Sequence, residues 1–399
     1  MQVLIIGGGA AGMATALTAA ERGHSVTILE RQARVGRKLL TTGNGRCNLT
    51  NQHASVAHYH GENPDFCRFA LEKHTPAETL DWFARLGLMT VTEDSGRVYP
   101  LSNMAGSVLD VLRYALEQPQ ITLRAGETVT AVAKKGGRFT VETEGGAYQA
   151  DRVILAAGGA AGAKVGGVMD GYRIAKALGH HRTALYPSLV QLKTDPTYPR
   201  ALKGVKAECA VTIRWGERIM AENRGEVLFT EYGVSGPVIF DISRAVATGG
   251  EGLTCCLDLL PEVSDGDLQT YLRRRRDAMA GHEAATLLTG ALQSRLGQMV
   301  MKYAGLTQGT AGALTDGQLA RVAAAVRQFA LPITGVCGFD QAQVTAGGLR
   351  TEEFDPRTME SRLCPGFYAC GEVLDVDGDC GGYNLQWAWA SGRLAGESV

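Results

Sequence analysis

Gly7, Gly9 and Gly12 stand at the G-x-G-x-x-G spacing, and the stretch they open closes on an acid, Glu30. Each glycine in such a run has a separate physical task. The first permits a tight turn, the second lets backbone approach a pyrophosphate, and the third lets a helix pack closely on a strand. Ala10 and Ala11 keep the approach between them narrow in side-chain volume. Unbonded amides at the helix start, with the positive end of the helix dipole, then face an anion. An acid at the position of Glu30 hydrogen-bonds a ribose hydroxyl and repels a 2′-phosphate. The context agrees: an apolar run at residues 3–6, an alanine-rich helical pattern, and a β-branched run at residues 25–29. The alternative is a βαβ unit that serves structure alone. Strand, turn, helix, strand and acid together favour dinucleotide binding.

Two further stretches carry polar chemistry. After Glu30 and Arg31, residues 36–51 (GRKLLTTGNGRCNLTN) hold Arg37, Lys38, Asn44, Gly45, Arg46, Cys47 and Asn48, with little apolar content after Leu40. Such a segment offers amide, guanidinium and carboxamide donors for a phosphate or the polar edge of a flavin; otherwise it is an ordinary polar loop. Near the C-terminus, residues 366–396 open with a short apolar run ending in Gly371 and Glu372. Gly382 then precedes a helix pattern beginning near Asn384 and Leu385. That helix start suits the pyrimidine end of a flavin, where reduction builds negative charge. Ala157 and Gly158, at the end of an apolar run, and Val129 complete the candidate cofactor contacts. Cys47, Cys370 and Cys380 all lie in these motifs, but no cysteine pair has the C-x-x-C spacing of a dithiol relay, so small, weakly polar packing beside the cofactor is expected of them.

GGGAAG, GRKLLTTGNGRCNLTN and GEVLDVDGDCGGYNLQWAWASG together resemble a family of bacterial FAD-dependent oxidoreductases. That family includes 3-dehydro-bile-acid Δ4,6-reductases and proteins described as aminoacetone oxidases. The resemblance runs along essentially the whole chain. It implies bound FAD, and less directly the reduction of a conjugated carbon–carbon double bond. Residues 170–180 also resemble a helix of fumarate-reductase-type flavoproteins. The strand, glycine and acid at Gly371 and Glu372 are similar to the element by which FAD proteins contact the ribityl and phosphate region.

These residues need a frame, and the patterning predicts an α/β one: a two-dinucleotide-type Rossmann-like FAD domain with a β-rich insertion and a helical cap. The FAD domain is expected over 1–187 plus 332–399, the β-rich insertion over 188–260 and the cap over 261–331. Residues 65–86 read as a helix split by Pro76, with Phe66, Phe69, Ala70, Leu80 and Phe83 as core positions. Alternation over 121–150 reads as a β-meander. The run at 152–157 is expected to return beside the first strand. Glycines at 158–162 mimic a second nucleotide turn, but no helix pattern follows before about Asp170. In the insertion Cys209, Val211, Ile213 and Trp215 share one face, as do Leu253, Cys255, Leu257 and Leu259. The C-terminal helix is expected to bury one face, carrying Leu385, Ala388, Trp389 and Gly392.

Composition limits the partners. The chain has 399 residues, 45% hydrophobic and 20% charged, with a formal net charge of −1. That balance gives no global attraction to nucleic acid or an acidic membrane. Arg273 to Arg276 form the densest charge run, yet four successive helical residues sweep round the axis rather than making one stripe. Nine cysteines without paired zinc spacing predict no metal site and no disulfide framework, and reduced thiols fit a cytoplasmic protein. No run is long enough to span a bilayer.

The expected chemistry is hydride transfer between FAD and a small-molecule substrate lying between the flavin and the insertion, with an acid protonating the adjacent carbon. Only one dinucleotide fingerprint is present, so NAD(P)H would serve as a transient donor rather than bind a domain of its own. Glu231 and Tyr232, in the loop FTEYGVSGP, are the candidate acids, although the family often carries His in place of Glu231. The rival readings are an amine oxidase using oxygen and a flavoprotein of RNA modification. Sequence leaves the substrate and the oligomeric state open.

Overall fold

A computed structural model describes all residues, 1–399. The apolar run at the N-terminus forms strand Gln2–Ile6, which pairs in parallel with Ser25–Glu30 on one side and Arg152–Leu155 on the other. Phe367–Ala369 extends the sheet beyond Arg152–Leu155, and Ile121–Ala125 extends it beyond Ser25–Glu30. In such a sheet ligands bind outside the carboxyl ends of the strands. Gly7, Glu30, Ala157 and Gly371 all fall at or just past those ends. The parallel sheet departs from the sequence expectation in one place. Residues 121–150 are not one meander, because Ile121–Ala125 is the sheet's outer strand and only Val129–Lys135, Arg138–Thr143 and Gly146–Ala150 form the antiparallel piece. A strand at a sheet edge is partly solvated, so it alternates as an antiparallel strand does.

This sheet belongs to a compact unit built from Met1–Pro187 and Ala342–Val399. Two helices fill its centre. Ala10–Glu21 follows the glycine turn, and Tyr383–Ser398 packs along it so closely that backbones meet. A Cβ added at Gly392 would lie 2.5 Å from the Ala11 carbonyl oxygen, and one at Gly396 2.7 Å from that of Thr15. The C-terminal helix does not bury a single face. Gln386, Trp387, Ala390 and Ser391 are as buried as Ala388 and Trp389, while Leu385 is only half-buried. It is an enclosed helix, and its polar side chains find partners inside. Residues 64–85 divide before Pro76, with Thr75 capping the helix Pro76–Arg85. Phe66, Ala70 and Phe83 are buried there together with Trp82, whereas Phe69 and Leu80 are not.

The second unit, Ser188–Gln341, is a closed six-stranded barrel with helices around it. Its longest hairpin joins Lys206–Trp215 to Arg218–Phe229. Cys209, Val211 and Ile213 point into the core, but Trp215 is 57% exposed because the alternation outlasts the barrel wall at the hairpin tip. Strand Phe329–Val336 closes the barrel between Leu192–Thr194 and Leu253–Asp258. The helices Asp265–Ala278, Ser294–Tyr303 and Asp316–Arg327 share one core with the barrel. The helical stretch is thus part of the barrel unit rather than a separate cap, and the unit ends at 341 instead of 331. Thr315 and Gln318 form a reciprocal capping box at the last of these helices. No helix is long and apolar enough to cross a membrane.

Candidate active site

The glycine turn separates into glycines that the chain itself requires and glycines that face outward. Gly7 has φ +107°, and a Cβ there would lie 2.4 Å from the Ala156 carbonyl oxygen on the neighbouring strand. At Gly12 it would lie 2.0 Å from the Gly7 carbonyl oxygen. At Gly9 and Gly158 it would meet nothing within 4 Å. The helix Ala10–Glu21 begins at Gly9 with no side-chain cap, so its first amides are left for another acceptor. Glu30 Oε2 accepts from the Gly8 amide at 2.8 Å and Oε1 from the Gln32 amide at 2.7 Å. Those bonds fix the carboxylate at the mouth of the turn, and a carboxylate retains lone pairs for ribose hydroxyls after accepting two amides.

The polar loop after Glu30 contributes unequally. Lys38 Nζ donates to Glu372 Oε2 at 2.7 Å, and Glu372 Oε1 accepts from the Thr345 amide at 2.9 Å. Arg31 is exposed, and Arg37 is exposed with its guanidinium on Gln32. Arg46 is engaged elsewhere: it donates to Glu93 at 2.8 Å and to Asn103, and lies 3.8 Å above the Tyr99 ring. Asn44 and Gly45 are exposed. Cys47 is fully buried, and burial pushes its thiol up to about 12. That thiol is inert at neutral pH. Asn48 is different. It is buried, and its Oδ1 has no hydrogen-bond partner in the chain.

Asn48 lies against the start of the C-terminal helix. A Cβ on Gly382 would be 2.8 Å from Asn48 Oδ1 and 2.4 Å from the Thr50 carbonyl oxygen. This helix, too, starts with no side-chain cap. Its side chains set the surrounding loops. Trp389 Nε1 donates to the Leu49 carbonyl at 2.9 Å, and Trp387 Nε1 to the Gly371 carbonyl at 3.1 Å. The Gly371 amide donates in turn to Ser391 Oγ at 2.9 Å. Gln386 accepts from Thr50 and donates to the His74 carbonyl. Asn384 closes on Gly378 at 2.8 and 2.7 Å, so its carboxamide braces the turn before the helix. Val129 is buried at the start of the meander, and Ala157 is half-buried.

Beside this turn is a cluster that motif reading missed. Tyr59–His60 pairs antiparallel with Asp377–Gly378, bringing His58 and His60 to Asp379. His58 Nδ1 is 3.0 Å from Asp379 Oδ2, and His60 Nε2 is 2.7 Å from Oδ1. Burial works to raise the Asp379 carboxyl, but the imidazole bonds outweigh it and hold it below the usual carboxylate range. The His58 ring stacks on Tyr383, with centroids 4.4 Å apart. The acid-rich run before Gly381 and the triplet His58, Tyr59 and His60 were the available signal, but nothing in their spacing links them.

The acids expected in the second unit fare differently. Glu231 is exposed and its carboxylate accepts from Lys203 Nζ at 2.7 Å. That bond holds the carboxyl below its ordinary value, so it is ionised at neutral pH and ill-suited to donate a proton. Tyr232 is half-buried, and burial chiefly raises its hydroxyl. Glu231 is therefore corrected to an exposed ion-pair partner.

An open Gly9, two helix starts without side-chain caps, a fixed acid at Glu30 and the orphaned Asn48 oxygen fit FAD, which presents anionic and hydrogen-bonding groups along its length. Comparison with known proteins agrees. The family model described as "HI0933-like protein Rossmann domain" matches residues 1–398. The chain is 40% identical to the 3-dehydro-bile acid delta(4,6)-reductase of Clostridium scindens, covering 99% of this chain and 98% of that protein. It is 32% identical to the ribosomal RNA dihydrouridine synthase of Escherichia coli, covering 97% and 95%. Escherichia coli quinol fumarate reductase FrdA shares the fold, with a TM-score of 0.51 at 18% identity, over all of this chain and 69% of that one. The chain belongs to the HI0933-like family and is an FAD-dependent oxidoreductase.

Proposed function

We propose that the protein saturates a carbon–carbon double bond conjugated to a carbonyl, in an apolar small molecule of steroid-like shape. The observation that carries this reading is the 40% identity to the bile acid reductase along both whole chains. The synthase at 32% identity supports the reaction class from another direction. Dihydrouridine differs from uridine by two hydrogens across a double bond conjugated to a carbonyl, so both activities add a hydride and a proton to the same kind of bond.

FAD, when bound, supplies the two-electron hydride chemistry. The chain's residues bind and orient. Gly9 and the amides after it receive the pyrophosphate, and Glu30 receives the adenosine ribose. Lys38 and Glu372, locked together, set the loops on either side of the ribityl region. The start of the helix Tyr383–Ser398, which carries no side-chain cap, would favour negative charge at the flavin's pyrimidine end. With a single glycine fingerprint, a nicotinamide donor would visit the flavin and leave.

The test is anaerobic. Purified protein is reduced with NAD(P)H or light, then mixed with a 3-oxo-Δ4 steroid, and the flavin absorbance is followed. Rapid reoxidation with formation of the saturated ketone is expected. Reoxidation by oxygen alone, with peroxide formed on turnover of amines, would instead select the amine oxidase. Salt-sensitive RNA binding would select the RNA-modifying reading, which the net charge of −1 does not favour.

A further inference from the structure

We propose that His58 and His60, clamped on the two oxygens of Asp379, are the proton donor that accompanies hydride transfer. The role rests on the double-bond reductase reading above. Such a reduction needs two deliveries to adjacent carbons, and the hydride is only one. A side chain able to exchange a proton near neutral pH must supply the other, and imidazole is the one whose ordinary titration lies there.

The geometry meets that need in three ways. First, each imidazole uses one nitrogen on Asp379, Nδ1 for His58 and Nε2 for His60. That leaves Nε2 of His58 and Nδ1 of His60 directed away from the carboxylate. Second, one carboxylate orients both rings, an oxygen to each. Asp379 is held ionised by these same bonds. Third, the cluster is reachable and built in place. The histidine side chains are 33% and 38% exposed, whereas the backbone beneath them is fixed by the pairing of Tyr59–His60 with Asp377–Gly378 and by the Asp379 amide on the His58 carbonyl.

Position matters as much as chemistry. His58 stacks on Tyr383, the first residue of the helix whose start is assigned to the flavin's pyrimidine end. Asn384 holds the turn carrying Asp379 through bonds to Gly378 and to the Asp379 carbonyl. The other titratable groups around the cluster are Asp375, Asp377 and Glu62 on the paired segments, the Tyr59 and Tyr383 hydroxyls, Cys67 and Cys380. Arg97 approaches at Gly381. Asp375 accepts from the Glu62 amide, and the Tyr59 hydroxyl donates to the Tyr383 carbonyl. Tyr59 is held well above its ordinary value, mainly by burial, which removes it as a competing acid.

The balance of the step is simple. A hydride from the two-electron-reduced flavin forms a C–H bond at the β-carbon, and the π electron pair moves toward the α-carbon and carbonyl oxygen. A protonated histidine forms the α-C–H bond and is left neutral. Solvent restores its proton, and a nicotinamide-class donor restores the flavin's two electrons. The two imidazoles share one carboxylate, an oxygen to each.

The test uses the holoprotein and four variants: His58→Gln, His60→Gln, the double variant and Asp379→Asn. FAD content and the rate of flavin reduction by NAD(P)H are read first and should stay near native, while melting temperature should fall modestly because each variant removes a bond at Asp379. Native reoxidation by a 3-oxo-Δ4 steroid should slow as pH rises, as a step fed by a general acid does, and show a solvent isotope effect. The double variant should slow it by about 10²- to 10⁴-fold and lose both signatures, as expected when a general acid is removed. Independently of turnover, histidine ring NMR signals of the oxidised holoprotein should show both rings hydrogen-bonded to one carboxylate, and both should move in Asp379→Asn. If the double variant keeps the native rate and pH profile, the donor role is wrong while the reductase reading stands. Loss of FAD from the single variants as well as the double one makes the cluster a structural staple and overturns the proposal. If no enone reoxidises the native protein, the reductase reading fails and takes the donor role with it.

Discussion

Alanine at Gly9 and alanine at Gly12 should separate cofactor binding from folding within one turn. At Gly12 the new Cβ would lie 2.0 Å from the Gly7 carbonyl oxygen, a backbone atom that cannot swing aside. Forced overlaps of this kind cost about 1–3 kcal/mol or more. For a unit of this size, each kcal/mol moves Tm by about 2–4 °C, so Gly12→Ala should lower the apoprotein Tm by about 2 °C or more. At Gly9 the added Cβ meets nothing within 4 Å and φ is −79°, an ordinary value for alanine. Alanine is a poorer N-cap than glycine, which offsets the about 0.4–1 kcal/mol gained from reduced unfolded-state freedom, so the apoprotein Tm should change little. The damage at Gly9 should fall on FAD. Pushing a pyrophosphate off one amide forfeits a charge-assisted hydrogen bond of about 1.5–3 kcal/mol, which is roughly a tenfold to hundredfold weaker Kd. Differential scanning fluorimetry of the deflavinated protein and fluorescence titration with FAD read the two effects. If Gly9→Ala melts early without FAD, or binds FAD as tightly as the native chain, then Gly9 does not face the pyrophosphate.

Three more outcomes follow from named contacts. Glu397 is held down to about 2, where burial opposes but bonds from His74 and Lys73 prevail. Its unfolded value is about 4.3, so the stability it confers, about 3 kcal/mol, is complete above about pH 5 and is lost as pH falls through 2; Glu397→Gln should lower Tm at pH 7 and leave it nearly unchanged at pH 2, and an equal drop at both would contradict the pairing. Cys47, with its thiol at about 12, should resist iodoacetamide at pH 8 in the folded protein and react once unfolded, as mass spectrometry can follow. Glu231→Gln should leave the pH profile of enone reduction unmoved, because the native carboxyl is already ionised against Lys203; a lost alkaline or acid limb would return it to candidacy.

What the sequence revealed follows the range of the interactions involved. Residues 3–30 were legible because turn, helix and acid are encoded within one βαβ unit, where spacing alone carries the geometry. Residues 152–157 could be placed beside the first strand by the logic of such sheets. Ile121–Ala125 was misplaced because a solvated edge strand of a parallel sheet alternates like a meander strand. Strand Phe329–Val336 closes a barrel whose earlier strands lie some 70 residues back across an intervening helical stretch, so no local pattern marks it as a barrel strand. The C-terminal helix was read as one-faced since Gln386, Ser391 and Arg393 look like a solvent side. In fact Gln386 and Ser391 are buried and satisfied by Thr50, His74 and Gly371. His58, His60 and Asp379 escaped for the same reason at larger scale: 319 to 321 positions separate the partners.

Under the proposed FAD binding, the two central helices would bring both chain ends to one cofactor. Ala11 faces Gly392 and Thr15 faces Gly396, so the helices run parallel, and Ala10 is level with Ser391. The C-terminal helix therefore starts a little over two turns before the first one, its start lying roughly 12 Å behind along their shared direction at 1.5 Å per residue. Parallel packing sets like dipole ends side by side, which is electrostatically unfavourable on its own. Neither start is relieved by a side-chain cap. Two staggered, uncapped positive ends are what an extended ligand with a pyrophosphate in one place and developing negative charge farther along would neutralise. A single phosphate would satisfy only one of them. The glycines at 392 and 396 thus do more than permit close packing: by fixing the stagger, they set the distance between the phosphate end of the site and its reactive end.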